Sequence, residues 1–176
     1  MKYFQKITLC LAAIVVVALG NNASAAAPVA AYDPTGAADL TVTDSFTSGT
    51  ITVNDAAGNG TGKAVIFTGT QDASVAMDIQ VGTVKVGDTA ASGAKLSSGA
   101  NTVESGAILE ITAATTGCIP GTLEVKSGGI LKVDDGIIVP AAGGSDVFSA
   151  ALTLKSGAKI QLGAGSTWSK NVTVSS

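Results

Sequence analysis

The chain has 176 residues, with ten basic against thirteen acidic side chains and a net charge of −3 at neutral pH. All ten basic residues are lysine and histidine is absent, which excludes a Ser-His-Asp triad, an imidazole metal site and guanidinium clamps for phosphate, carboxylate or base edges. No basic stripe exists to release counterions, which argues against nucleic acid as a partner.

The first 25 residues read as a secretory leader. Lys2 and Lys6 form a positive start, Ile7 to Leu19 is an apolar run, and Ala23-Ser24-Ala25 is an A-x-A cleavage pattern. The run is shorter than the roughly 20 residues of a spanning helix, so no membrane span is expected after cleavage behind Ala25. Cys10 stands at the start of the apolar run rather than its end, which argues against a lipoprotein signal. The style of the leader is bacterial. Export predicts a secreted or cell-surface location.

Removal of two leader lysines leaves eight lysines against thirteen acids, a charge of −5. It also leaves one cysteine, so an intrachain disulfide is impossible although export would permit one. Cys118 reads as a small buried residue, with a cross-chain disulfide or a reactive thiol as alternatives.

Residues 26–39 are an Ala-rich lead with Pro28 and Pro34, read as an N-terminal arm or cap. Residues 40–176 form a single domain. No window there sustains a helical apolar period. Apolar alternation with period two recurs instead, as in Ile51-Thr52-Val53, Val84-Lys85-Val86, Leu123-Glu124-Val125 and Lys159-Ile160-Gln161-Leu162, with Gly, Ser, Asn and Asp between the runs. The pattern predicts an all-β fold.

An internal repeat sharpens this. Leu123-Glu124-Val125-Lys126-Ser127-Gly128-Gly129-Ile130-Leu131-Lys132-Val133 reads as a strand, a Ser-Gly corner and a second strand. Asn101 to Ile111 and Leu152 to Leu162 repeat it, and Ser92 to Leu96 is a weaker copy. Ser105 to Ser127 is a step of 22 residues and Ser127 to Ser156 a step of 29, the excess matching a Gly/Pro/Ala segment at Pro140 to Ser145. One such unit cannot bury its apolar side alone, so several must stack. At roughly 20–25 residues per turn, a parallel β-helix (β-solenoid) of about six short coils is expected. A β-sandwich or jelly-roll filament subunit is the alternative, and Leu40 to Gly82 fits either.

The Leu-x-Val-x-Ser-Gly-Gly-x-Leu-x-Val text at Leu123 to Val133, with its relatives at Val103 and Leu154, resembles the β-helix passenger regions of bacterial autotransporters and related surface adhesins. The resemblance is clearest over Leu96 to Leu162. It implies an exported solenoid that presents a repetitive surface, although the large C-terminal translocator barrel of that class has no counterpart in this sequence.

Candidate chemistry is sparse. Asp134-Asp135 is a carboxylate pair of the kind that β-helix glycosidases use as acid and base. Adjacent strand residues point to opposite faces, however, and the Gly-His-Gly motif of polygalacturonases and the arginine of pectate lyases are both missing. The pair reads as a solvated turn closed by Gly136. Asn54 to Gly60 offers several oxygens without the alternating carboxylates of a calcium loop, so it reads as a loop with an Asn59-Gly60 turn. No phosphate-binding glycine motif occurs, which argues against nucleotides. Tyr32, Phe46, Phe67, Phe148 and Trp168 are scattered, which disfavours an aromatic platform, and Trp168 is expected as a cap or core residue.

These readings predict no catalytic, cofactor or metal residues and no enzyme. They predict a structural or adhesin-like protein that self-associates or meets a host or cell-surface partner. A secreted polysaccharide-active enzyme on a β-helix scaffold, or a donor-strand sandwich subunit, is the alternative.

Overall fold

The computed structural model describes residues 25–26, 39–55, 63–69, 71–87, 94–113, 117–139 and 147–176. The expected leader lies outside the described residues except for Ala25, and so does most of the expected arm at 26–39. Among the described residues all regular structure is strand, and every strand pairing is parallel.

The chain winds between two sheets. Strands β1 (Ala25–Ala26), β3 (Phe46–Asn54), β5 (Val75–Val81), β7 (Ala100–Val103), β9 (Thr122–Val125), β12 (Leu152–Lys155) and β15 (Thr173–Ser175) form a seven-stranded sheet in that order. Strands β2 (Leu40–Val42), β4 (Ala64–Phe67), β6 (Thr83–Val86), β8 (Ile108–Ile111), β10 (Ile130–Val133) and β13 (Lys159–Leu162) form a six-stranded sheet. Sequence neighbours therefore alternate between sheets, while each strand pairs with the strand one coil away. That is a parallel β-solenoid. A third, less regular side holds β11 (Ile138–Val139) against β14 (Thr167–Trp168) and an isolated bridge between Ile119 and Phe148.

Six consecutive strand pairs place one strand in each sheet (β1–β2, β3–β4, β5–β6, β7–β8, β9–β10 and β12–β13), and β15 adds a seventh strand to the larger sheet. Residues 27–38, between β1 and β2, lie outside the described residues, so the full coils described are somewhat fewer than the six expected, and their length is uneven. Val65 pairs with Val84 only 19 residues on, whereas Ile130 pairs with Lys159, 29 residues on. The steps of 22 and 29 read from the repeat are the actual registers, Ile108 to Ile130 and Ile130 to Lys159. The Pro140 to Ser145 segment invoked for the longer step lies outside the described residues. Among the described residues no antiparallel pair supports the sandwich alternative, and strands β2 to β5, which lie between Leu40 and Gly82, belong to the same solenoid.

Alternation explains the core. Ile51, Met77, Asn101, Leu123 and Leu152 form one inward row of the larger sheet, and Leu40, Val65, Val84, Leu109, Leu131 and Ile160 form one of the smaller. Each side chain stacks on its equivalent in the next coil, and most members of the central coils are fully buried. Burying a Leu or Val side chain contributes about 1.5–3 kcal/mol, so the rows supply the main favourable term.

Two glycine positions show why the repeat reads as it does. Gly128, at the Ser-Gly corner, has φ +80°, a left-handed conformation that costs an L residue about 1–2 kcal/mol. Gly121 lies where two coils touch, and a Cβ there would stand 1.9 Å from the Gly99 carbonyl oxygen. The weaker repeat copy is displaced. Of Ser92 to Leu96, the described residues Ala94–Leu96 belong to neither sheet and lie on the third side, where the Leu96 amide donates to the Cys118 carbonyl at 2.8 Å.

Three buried polar side chains tie that irregular side to the larger sheet. Asn101 Nδ2 lies within hydrogen-bond reach of the carbonyls of Ser97, Gly99 and Thr122 at 3.0, 3.2 and 3.0 Å. Gln71 accepts from the Phe46 amide at 3.1 Å and donates to the Asp44 carbonyl at 2.9 Å. Ser97 accepts from the Gly99 amide at 3.0 Å. Each satisfies backbone groups that the turn leaves without a strand partner.

Candidate functional site: the outer rows of the two sheets

What alternation buries on one side it presents on the other. On the smaller sheet, Thr41, Ile66, Lys85, Glu110, Lys132 and Gln161 stand in one straight outward row, one residue per coil. Lys85 pairs with Asp39 at 2.9 Å, and Lys132 pairs with Glu110 and, at 3.4 Å, with Asp134. Burial pushes the Asp39 carboxyl up, but hydrogen bonds from Lys85 and the Ala64 amide, with the charges of Lys85 and Lys63, outweigh it and hold the group below its ordinary range. The Glu110 hydrogen bond raises Lys132, against a smaller opposing effect of burial. Lys63, Lys85, Glu110 and Lys132 line a shallow depression of about 310 Å³.

On the larger sheet the outward row is Thr52, Asp78, Thr102, Glu124, Thr153 and Thr173. Beside it Gln80 Nε2 donates to Asp78 Oδ2 at 2.9 Å and Asn54 Nδ2 to Gln80 Oε1 at 3.4 Å. Lys126 pairs with Glu124, lowering the carboxyl and raising the ammonium. Both rows are therefore straight and locally charge-balanced, and polar except at the buried Ile66.

Asp134 and Asp135 do lie at a turn, Asp135-Gly136, at the exit of β10. Asp134 faces Lys132, while Asp135 Oδ1 accepts from the Ala164 amide of the next coil at 2.8 Å. One carboxylate balances charge and the other pins a corner. They line, with Thr112, Lys132 and Gly163, a second depression of about 400 Å³. Among the described residues, no group of three or more acidic or cysteine side chains is placed to hold a metal ion. Asn54 and the buried Asp55 are described, but the rest of the Asn54 to Gly60 loop lies outside the described residues.

Cys118 is buried in the core, and burial pushes its thiol up to about 12. This is the behaviour of a small core residue rather than of a reactive or cross-chain thiol. Trp168 packs edge-on against Phe148 at 5.6 Å between centroids, and its Nε1 donates to the Lys170 carbonyl at 2.8 Å. The Lys170 ammonium in turn lies 5.5 Å from the Phe148 ring centre. This aromatic pair on the third side joins residues twenty apart in sequence, which scattered aromatics did not signal. No helix among the described residues is long and apolar enough to cross a membrane.

No protein-family model, no curated protein and no solved structure matches this chain.

Proposed function

We propose that the protein is an exported structural or adhesin-like component of the cell surface or extracellular space, which acts by presenting the outer rows of its solenoid to a polymer or cell surface. The passenger-like repeat text and the leader at Met1 to Ala25 support export. The observation that carries the reading is the geometry of the rows. Strands in a sheet repeat every 4.7–4.9 Å, so each row offers polar groups at a regular spacing along a straight line. Such a line suits an extended, repetitive partner. A catalytic site needs groups converging on one substrate atom, whereas Asp134 and Asp135 are turned to different partners.

The test has two parts. In the source cell, the protein is expected in the surface or extracellular fraction and to be cleaved by protease added to intact cells; confinement to the cytosol overturns the proposal. The purified protein is expected to bind immobilised polysaccharides or cell surfaces without releasing soluble products, and binding should weaken when Thr102 and Thr153 are replaced together by lysine. Release of oligosaccharides from polyuronides would instead establish the enzyme reading, with Asp134→Asn as the first variant to try.

A further inference from the structure

Strand β15 is the outermost strand of the seven-stranded sheet, so one of its edges has no strand partner. Open edges are commonly guarded by short length, charge or proline. Strand β15 is short, but residues 171–176 contain no charged side chain and no proline, and Val174 is 72% exposed. The segment carries a different handle instead.

Asn171-Val172-Thr173 is an Asn-x-Thr triplet without proline, the acceptor pattern for an N-linked glycan. Val172 packs against the core, while Asn171 and Thr173 on either side of it are exposed. Thr173 pairs with Thr153 and ends the outward row of the larger sheet. The fold thus anchors the middle of the triplet and leaves both of its polar side chains in the open. Among the described residues, the Asn171 side chain makes no hydrogen bond. Asn54 and Asn101, the other described asparagines, have no hydroxyl residue two positions on, and hydrogen bonds hold both. Asn59-Gly60-Thr61 has the same pattern but lies outside the described residues.

We infer that Asn171 carries an N-linked glycan that guards the open edge of β15. The inference rests on the export proposed above, because the sugar donor, an oligosaccharide carried on a lipid pyrophosphate, is met on the far side of the export membrane. Asn171 Nδ2 forms a bond to C1 of the first sugar, and the bond from C1 to the pyrophosphate oxygen breaks. The amide gives up one proton, the lipid pyrophosphate leaves, and nothing is oxidised or reduced. The attached sugars are bulky and hydrated and stand beside Thr173. A second chain pairing along β15 would have to displace them.

The protein purified from its source cell tests this by mass. The leader-free chain is expected to be heavier than its sequence by one or more sugar chains, with the peptide that contains Asn171 modified. A peptide N-glycosidase is expected to remove the excess and leave aspartate at 171. Asn171→Gln and Thr173→Val should abolish the modification of that peptide, and Thr173→Ser should keep it. Thr173→Ser separates recognition of the hydroxyl from any general effect of altering β15. At equal concentration, the Asn171→Gln chain is expected to self-associate about tenfold more strongly than the modified chain in sedimentation. Equal association overturns the guarding role. An exported chain whose Asn171 peptide has its unmodified mass, or a glycan confined to Asn59, overturns this inference alone. A chain confined to the cytosol with its leader attached overturns the export reading, and this inference with it.

Discussion

The central coils and the last coil are written in nearly the same text and are not buried alike. Leu123-Glu124-Val125 and Leu131-Lys132-Val133 place their apolar residues at or near zero exposure. Leu152-Thr153-Leu154 and Ile160-Gln161-Leu162 continue the same rows in register, yet Leu162 is about half exposed. The difference lies in the neighbour above. In a solenoid a strand's own alternation decides which residues face inward, and the adjacent coil decides whether facing inward means burial.

The sharpest way to break this comparison is to truncate equivalent positions. Leu131→Ala is expected to cost about 3–4 kcal/mol in urea denaturation, because it opens a void between two coils. Leu162→Ala, one coil away but uncovered, should cost less than about 1 kcal/mol. Equal losses would mean that Leu162 is covered in solution.

Glycines give a second contrast. Gly121→Ala drives a methyl into the Gly99 carbonyl between two central coils and is expected to cost about 2–3 kcal/mol. In the last coil, a Cβ at Gly165 meets nothing within 4 Å, so Gly165→Ala should pay only its backbone conformation, about 1 kcal/mol. Thermal unfolding of the two variants side by side would measure the gap.

The smallest effect concerns charge. Lys132 in a central coil pairs with Glu110, and the aligned residue of the last coil is the neutral Gln161. Because the pair raises the Lys132 pKa in the folded state, its contribution is complete below the ordinary lysine value near 10.5 and disappears as pH rises through the higher folded value. Lys132→Met should therefore lower stability at pH 7 by no more than about 1 kcal/mol, and the difference from the parent should vanish at strongly alkaline pH. Exposure of the Cys118 thiol affects both proteins alike and cancels in that difference.

Much of the architecture was legible where one coil spells one phrase. The Ser-Gly corners at Ser105, Ser127 and Ser156 set both strands of three coils and their registers. The Asp135-Gly136 turn was readable in the same way. Earlier coils were harder, because the corner at Gly82 joins Ile79 to Thr83 with one residue fewer than Val103 to Ile108 and lacks the serine. Ser92 to Leu96 misled for the opposite reason, since its text matches the corner while Ala94–Leu96 lie on the third side. Asn101 could not be read as an inward residue, because its role depends on carbonyls of Ser97, Gly99 and Thr122 that only the fold brings together. The outer rows were partly visible. Alternation showed which residues face out, but the partners Lys85–Asp39 and Lys132–Glu110 required the register.

The unequal coil lengths have a last consequence. Between Ile130 and Lys159 the chain spends seven more residues than between Ile108 and Ile130, and neither sheet slips by a position. The scaffold thus keeps time by strand rather than by residue. Whatever is added on the connecting side is invisible to the stacked rows, so length can change there without disturbing the fold. That side is the natural place to splice in a foreign loop, or for ancestry to have spliced one already.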